Sequence, residues 1–483
     1  MKYTSTRDDN VRVGSARAVI DGISADGGLY VPLELPKIDF VTLGDDYFMR
    51  AERVLSVFFD FDVKGITERA YSTFDGDPAP VVKIDDDLFV LELWHGKTCA
   101  FKDMALSVLP SLLVNAKAYE NENDETLVLV ATSGDTGKAA LEGFKDVAGT
   151  RVCVFYPTDG VSRVQKLAMM TQDGQNVCSV GIRGNFDDAQ SAVKRAFADE
   201  SLTRELKAEN IVLSSANSIN IGRLVPQIAY YFSAYADLVD CGEIKTGERI
   251  DFVVPTGNFG NILAGYYAKQ MGLPIEKLVC ASNRNNVLTD FINTGVYDIN
   301  RKFHKTDSPS MDILISSNLE RLLFETSGRD AALTAKRMSE LKQTGRYTVT
   351  AAELKAIRET FDCGFASDEA CADAIYDMFD EYGYLIDPHT AAAYAVAKSR
   401  GYKRKTVVVS TANPYKFAPA VLKAIGAEVG GGEVTVKTLE RLCDETAMEI
   451  PTALAEVFDK PVRFDAVIDK SEIIDYIKNN YHV

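Results

Sequence analysis

In the run Trp94-His95-Gly96-Lys97-Thr98-Cys99-Ala100-Phe101-Lys102-Asp103, one lysine stands between an aromatic ring and a carboxylate, just after a turn of small residues. Only the free amine of a lysine has the lone pair that attacks an aldehyde, so a Schiff-base lysine must be held partly out of water, where its proton is less stable. Lys102 is the candidate for that chemistry. A second segment, Thr132-Ser133-Gly134-Asp135-Thr136-Gly137, follows the apolar run Leu127–Ala131 and precedes a helix pattern from Lys138. Free backbone N–H groups and the positive end of a helix dipole converge at such a turn, and Ser133 and Thr136 add donors, which favours an anion. The same residues would also serve simply as a helix cap. The pair Gly137-Lys138 does not make a nucleotide-triphosphate loop, because Thr132 stands where its first glycine belongs and Ala139 where its hydroxyl belongs.

A third segment, Thr256-Gly257-Asn258-Phe259-Gly260-Asn261, again links an apolar run (252–255) to a helical pattern. Glycines let the backbone approach a ligand closely, so this loop reads as a phosphate cup. It lacks the Gly-x-Gly opening of a dinucleotide fingerprint, which disfavours a Rossmann dehydrogenase. A fourth run, Thr406-Val407-Val408-Val409, ends in Ser410 and Thr411, hydroxyls that would face a ligand crevice at the carboxyl end of a parallel strand.

The elements that must position these segments alternate. Buried-strand patterns at 127–131, 151–156, 252–255 and 406–409 are separated by helical ones, among them Asn185–Phe197 with Asp187 and Asp188 near its start, which argues for α/β layers around mostly parallel sheets. At 483 residues the chain is long enough for two or three cores. Its net charge of −17 argues against a nucleic-acid partner, and Lys403-Arg404-Lys405 reads as a solvated strand approach. The eight cysteines form no Cys-x-x-Cys, and the four histidines (His95, His304, His389, His482) show no metal-ligand spacing, so no metal site is expected. With no apolar leader or membrane-spanning run, a cytoplasmic protein is expected.

In their order along the chain the four segments resemble the pyridoxal-phosphate enzymes of the tryptophan synthase beta-subunit fold, and among them the long-form threonine synthases. Tyr3-Thr4-Ser5-Thr6-Arg7, Ala25-Asp26-Gly27-Gly28-Leu29-Tyr30-Val31-Pro32 and Asn217-Ser218-Ile219-Asn220-Ile221-Gly222-Arg223 are similar to further motifs of that family. The resemblance implies a fold-type II α/β enzyme with an N-terminal domain (1–90), a catalytic core of two α/β subdomains (91–429) and a C-terminal segment (430–483). It implies pyridoxal 5'-phosphate linked to Lys102, with Asp135, Gly257, Asn258, Phe259, Gly260, Asn261 and Thr411 around it. Lys97, Thr98, Ser133, Thr136, Asn217, Ser218 and Arg223 would take the phosphate of O-phospho-L-homoserine. The implied reaction makes L-threonine, with a phospholyase releasing 2-oxobutyrate as the alternative and a silent binding homologue as a third reading, in a monomer or homodimer. Two positions depart from the family. Asn413 stands where its members commonly have histidine, so no role of that histidine carries over, and Asp135, usual in the long form, is a carboxylate where the wider fold often has asparagine beside the cofactor's phenolic oxygen, which a carboxylate would repel.

Overall fold

Unbroken apolar runs form strands buried on both faces, as parallel sheets covered by helices require. In the computed structural model, which describes residues 1–159 and 161–481, they assemble into two such sheets. His482 lies outside the described residues. The first sheet orders Phe361–Phe365, Ile275–Ser282, Ile250–Pro255, Thr406–Ser410, Leu88–Glu92 and Val81–Lys83, parallel throughout except for the last pair. The second orders Val467–Ile468, Val177–Ile182, Thr150–Pro157, Glu125–Ala131 and Ile211–Ser214, all parallel. The architecture is therefore α/β, as the alternation of patterns implies.

The region boundaries differ from the sequence reading in particular ways. Val81–Lys83 and Leu88–Glu92 already belong to the six-stranded sheet, so a boundary at residue 90 would cut a strand. Ahead of them, Lys2–Ser5 pairs antiparallel with Val13–Gly14 and Tyr30–Pro32 in a small separate sheet. The C-terminal segment lends Val467–Ile468 to the edge of the five-stranded sheet. The pattern at 185–197 becomes the helix Phe186–Ala198, and Asn185 and Asp188 form its reciprocal cap. The helix expected from Lys138 begins earlier, at Asp135, because the Thr132 hydroxyl accepts from the N–H groups of Gly134 and Gly137 and closes the first turn. Arg404, read as solvated, is paired with the buried Asp251 at 2.9 Å.

The twenty-residue helix Ile221–Asp240 is buried along most of its length between the N-terminal helix Tyr47–Phe58 and the helix Gly260–Met271. Arg50 on the first of these forms ion pairs with Asp237 and, at 2.9 Å, Asp240. The short helix Asp103–Leu106 lies against Asp135–Phe144, and a Cβ at Gly143 would sit 2.1 Å from the Leu106 carbonyl oxygen. Glycine is thus required where the two helices touch. Gly143→Ala should cost about 1–3 kcal/mol through overpacking and lower the thermal midpoint. Gly430→Ala, with nothing within 4 Å of its Cβ, should leave the midpoint unmoved. Equal midpoints for the two variants would refute the close contact.

Candidate active site

Two neighbouring parallel strands, Leu88–Glu92 and Thr406–Ser410, pair Glu92 with Ser410, so the segments that follow them leave the same edge of the sheet. Those segments stay joined. Phe101 N–H donates to Thr411 O (2.9 Å), Asn413 N–H donates to Cys99 O (3.0 Å), and Trp94 Nε1 donates to Ser410 Oγ (3.0 Å). Lys102 consequently sits at the start of the helix Asp103–Leu106, one residue beyond a bond to Thr411. Asp103 holds the turn before it by accepting from both Thr98 N–H and Thr98 Oγ1 at 2.7 Å, and a Cβ at Gly96 would fall 2.4 Å from Asp103 Oδ2. Burial lifts the Asp103 carboxyl to about 6, although the Thr98 bonds pull the other way.

The Lys102 ammonium position lies 3.8 Å from Asp135 Oδ2 and 5.2 Å from the centre of the Phe101 ring. Burial lowers the Lys102 pKa; Asp135 opposes the shift, while Lys416 and Arg223 reinforce it. Asp135 is not a bare carboxylate. Its Oδ1 accepts from Lys416 Nζ and Gln165 Nε2, each at 2.9 Å. Burial works to raise the Asp135 pKa, yet Lys416 and Lys102 together hold it well below the ordinary carboxylate range.

On the other side, the strand Ile250–Pro255 feeds the glycine loop. Phe259 takes a left-handed conformation (φ 63°) to start the helix Gly260–Met271, whose first N–H groups have no intrahelical partner. A Cβ at Gly257 would meet the Ser310 carbonyl oxygen at 2.6 Å, and Gly257 O accepts from Ser316 Oγ at 2.8 Å. Asn258 O accepts from Asn318 Nδ2 at 3.2 Å. Asn261 Oδ1 accepts from the hydroxyls of Tyr230 (2.8 Å) and Tyr231 (2.7 Å), which turns its Nδ2 inward as a buried donor with no partner.

Arg223, 4% exposed, donates from Nη1 to Ala216 O at 2.9 Å and leaves Nε buried without a partner. Burial brings its pKa down to about 10, so it remains a cation at neutral pH. The Ser215 hydroxyl, in the same segment, is also buried and unpartnered. Asn217 is exposed and Ser218 and Thr136 are half-buried. Lys97 and Ser133 are exposed, whereas Thr98 has its hydroxyl engaged by Asp103. Asn413 Oδ1 accepts from Tyr415 N–H at 3.0 Å and caps the turn Pro414–Phe417, which gives this departure from the family a local structural role.

Sequence reasoning missed Lys416, Gln165, Ser215, Asn318 and Arg321. Lys416 and Ser215 stood inside or beside recognised segments; Gln165, Asn318 and Arg321 carried no local signal. Arg321 is fully buried and donates to Tyr30 O (3.0 Å) and Ile219 O (2.6 Å), and it also bonds Asn318 Oδ1. Its neighbour Glu320 receives Arg7 Nε and Nη2 at 2.8 and 2.7 Å and Thr6 Oγ1 at 2.6 Å. The N-terminal sheet is thereby tied to the loops of the site.

Residues 77–412 match the family described as pyridoxal-phosphate dependent enzyme, residues 2–71 the threonine synthase N terminus, and residues 390–477 the threonine synthase C-terminal family. The chain is 40% identical over 431 residues to human threonine synthase-like 1, covering 85% of this chain but only 58% of that longer protein. It is 38% identical to the threonine synthase of Pseudomonas aeruginosa, covering 95% of this chain and 97% of that one. A crystal structure of threonine synthase from Brucella melitensis with bound pyridoxal phosphate superposes with a TM-score of 0.89 at 37% identity, over 100% of both chains. On a match across most of its length, the chain belongs to the pyridoxal-phosphate-dependent enzymes and, within them, to the threonine synthases.

Proposed function

We propose that the protein converts O-phospho-L-homoserine and water to L-threonine and phosphate. The observation that carries this reading is the presence of two separate anion-ready places around one half-buried lysine. The glycine loop offers free helix N–H groups and the orphaned Asn261 Nδ2, and the Ser215–Arg223 segment offers the orphaned Arg223 Nε and Ser215 Oγ. Buried donors without partners are costly unless an acceptor arrives, so these positions fit two phosphate groups.

The residues present fit the cofactor. Gly257, Asn258, Phe259, Gly260 and Asn261 would hold its phosphate, Thr411 its ring nitrogen, and Lys102 its aldehyde carbon, with Asp135 close by. When bound, pyridoxal phosphate supplies an electron sink for charge developing on the substrate's carbon next to the amine. Lys102 Nζ, its pKa lowered by burial and its nitrogen donating no hydrogen bond among the described residues, takes the Cα proton and later returns one. Arg223, with its planar fork, binds the substrate phosphate together with Ser215, Asn217, Ser218 and Thr136 and holds it for departure from Cγ. The Lys102 side chain is 14% exposed, which limits the water that could divert the reaction to 2-oxobutyrate and ammonia.

Incubation with O-phospho-L-homoserine in water enriched in oxygen-18 tests the proposal. Threonine labelled at its hydroxyl is the expected main product. Dominant 2-oxobutyrate would replace the synthase reading with that of a phospholyase.

A further inference from the structure

Two lysines in this site reach for one carboxylate. Among the described residues Asp135 is the acid within ion-pair distance of either Lys102 or Lys416. The competition is unequal. Lys416 Nζ donates to Asp135 Oδ1 at 2.9 Å and to Thr98 O at 2.7 Å, so its ammonium is anchored in two directions. Lys102 Nζ stands 3.8 Å from Oδ2, beyond hydrogen-bond distance, and donates no hydrogen bond among the described residues.

Resting on the reading of Lys102 as the cofactor lysine, we propose that Lys416 is a positioning residue. By occupying Asp135 it leaves Lys102 as the free amine that can capture an aldehyde. The charge balance supports this. With Lys102 neutral, Asp135 and Lys416 cancel each other; a proton on Lys102 would add a second cation facing the nearby Arg223. Asp103, a carboxylate at neutral pH, favours the charged form of both lysines and so does not choose between them, and the remaining groups that face the pair are neutral or already paired. Asp103 is engaged by Thr98 and raised to about 6, the Cys99 thiol is pushed up to about 12 by burial and stays neutral, and Lys138 and Glu142 pair with each other at 3.0 Å. The directions agree: burial lowers Lys102, whereas for Lys416 the pull of Asp135 overcomes the burial that would lower it. Lys416 also removes the difficulty of a carboxylate beside a phenolic oxygen, since Asp135 faces the site already neutralised.

Capture joins the Lys102 nitrogen to the aldehyde carbon as a C=N bond and releases the carbonyl oxygen as water. It needs the lone pair and so follows the unprotonated fraction of Lys102. The test uses the full-length chain stripped of cofactor. Its rate of pyridoxal 5'-phosphate capture is followed by absorbance against pH, with borohydride trapping and peptide mass spectrometry to locate the linkage.

In Lys416→Met, Asp135 turns to Lys102, and the capture midpoint should rise by about 1–3 pH units, the range an opposite charge at close distance produces. Lys416→Arg keeps the cation and should retain the wild-type profile. Asp135→Asn keeps Lys416 and deprives Lys102 of its acid, so its midpoint should fall. An unmoved midpoint in Lys416→Met overturns the proposal, and so does a raised one in Asp135→Asn, which decides the matter if the methionine variant does not fold. Absence of any linkage at Lys102 in the wild type at every pH would instead overturn the site reading itself.

Discussion

Lys102→Ala is expected to lose activity roughly 10³- to 10⁶-fold, because on the proposed reading one substitution removes both the covalent tether for the cofactor and the base at Cα. The protein should still fold. The Lys102 side chain donates no hydrogen bond among the described residues, and the turn around it is held by Asp103, Thr98 and the bond from Phe101 N–H to Thr411 O. Borohydride reduction of the wild-type holoenzyme should leave pyridoxyl on Lys102, and the alanine variant should bind the cofactor only in a form lost on dialysis. Pyridoxyl on another lysine would refute the assignment, and Lys416 is the competitor to watch, since it lies against the same carboxylate.

Arg223→Ala should lower kcat/KM by about 2–4 kcal/mol, or roughly 30- to 1000-fold, the cost of losing the charge-assisted bond to phosphate proposed for it. Cofactor affinity should change little, because the glycine loop is a separate structure on another strand and helix. Truncation also removes the bond from Nη1 to Ala216 O, which steadies the segment carrying Ser215 and Asn217. Arg223→Lys separates the two contributions. It keeps a cation but not the fork, so it should recover only part of the loss. A kcat/KM in Arg223→Ala equal to that of the wild type would take Arg223 out of the substrate site.

Much of the architecture is legible in local patterns. The runs at 127–131, 252–255 and 406–409 are strands because their residues are buried on both faces, and that leaves an unbroken apolar signature. The candidate site is legible where a ligand-facing loop needs glycine and short polar residues at fixed spacing, as in 132–137 and 256–261. What stays hidden depends on partners far away in the chain. Lys416 is one more lysine until the sheet brings Asp135 to it from 281 positions earlier, and Asn318 and Arg321 are ordinary helix-start residues until the Asn258 and Ile219 carbonyls meet them. The start of the helix at Asp135 was misplaced for a related reason. The capping group, Thr132, lies before the glycine that interrupts the pattern.

The Glu320-Arg321 pair makes the N-terminal sheet inseparable from the catalytic sheets. A chain shortened to begin after Tyr71 would keep every residue assigned to chemistry, yet Glu320 would lose Thr6 and Arg7, and Arg321 would lose the Tyr30 carbonyl. Glu320 would lose its cation, and Arg321 would keep only the Asn318 and Ile219 oxygens of its three acceptors. The helix that begins at Leu319 would then no longer be pinned, and with it the Asn318 side chain that holds Asn258 and the guanidinium that holds Ile219. The small sheet at the start of the chain therefore acts as a distant buttress for the segments that carry Asn258 and Ile219.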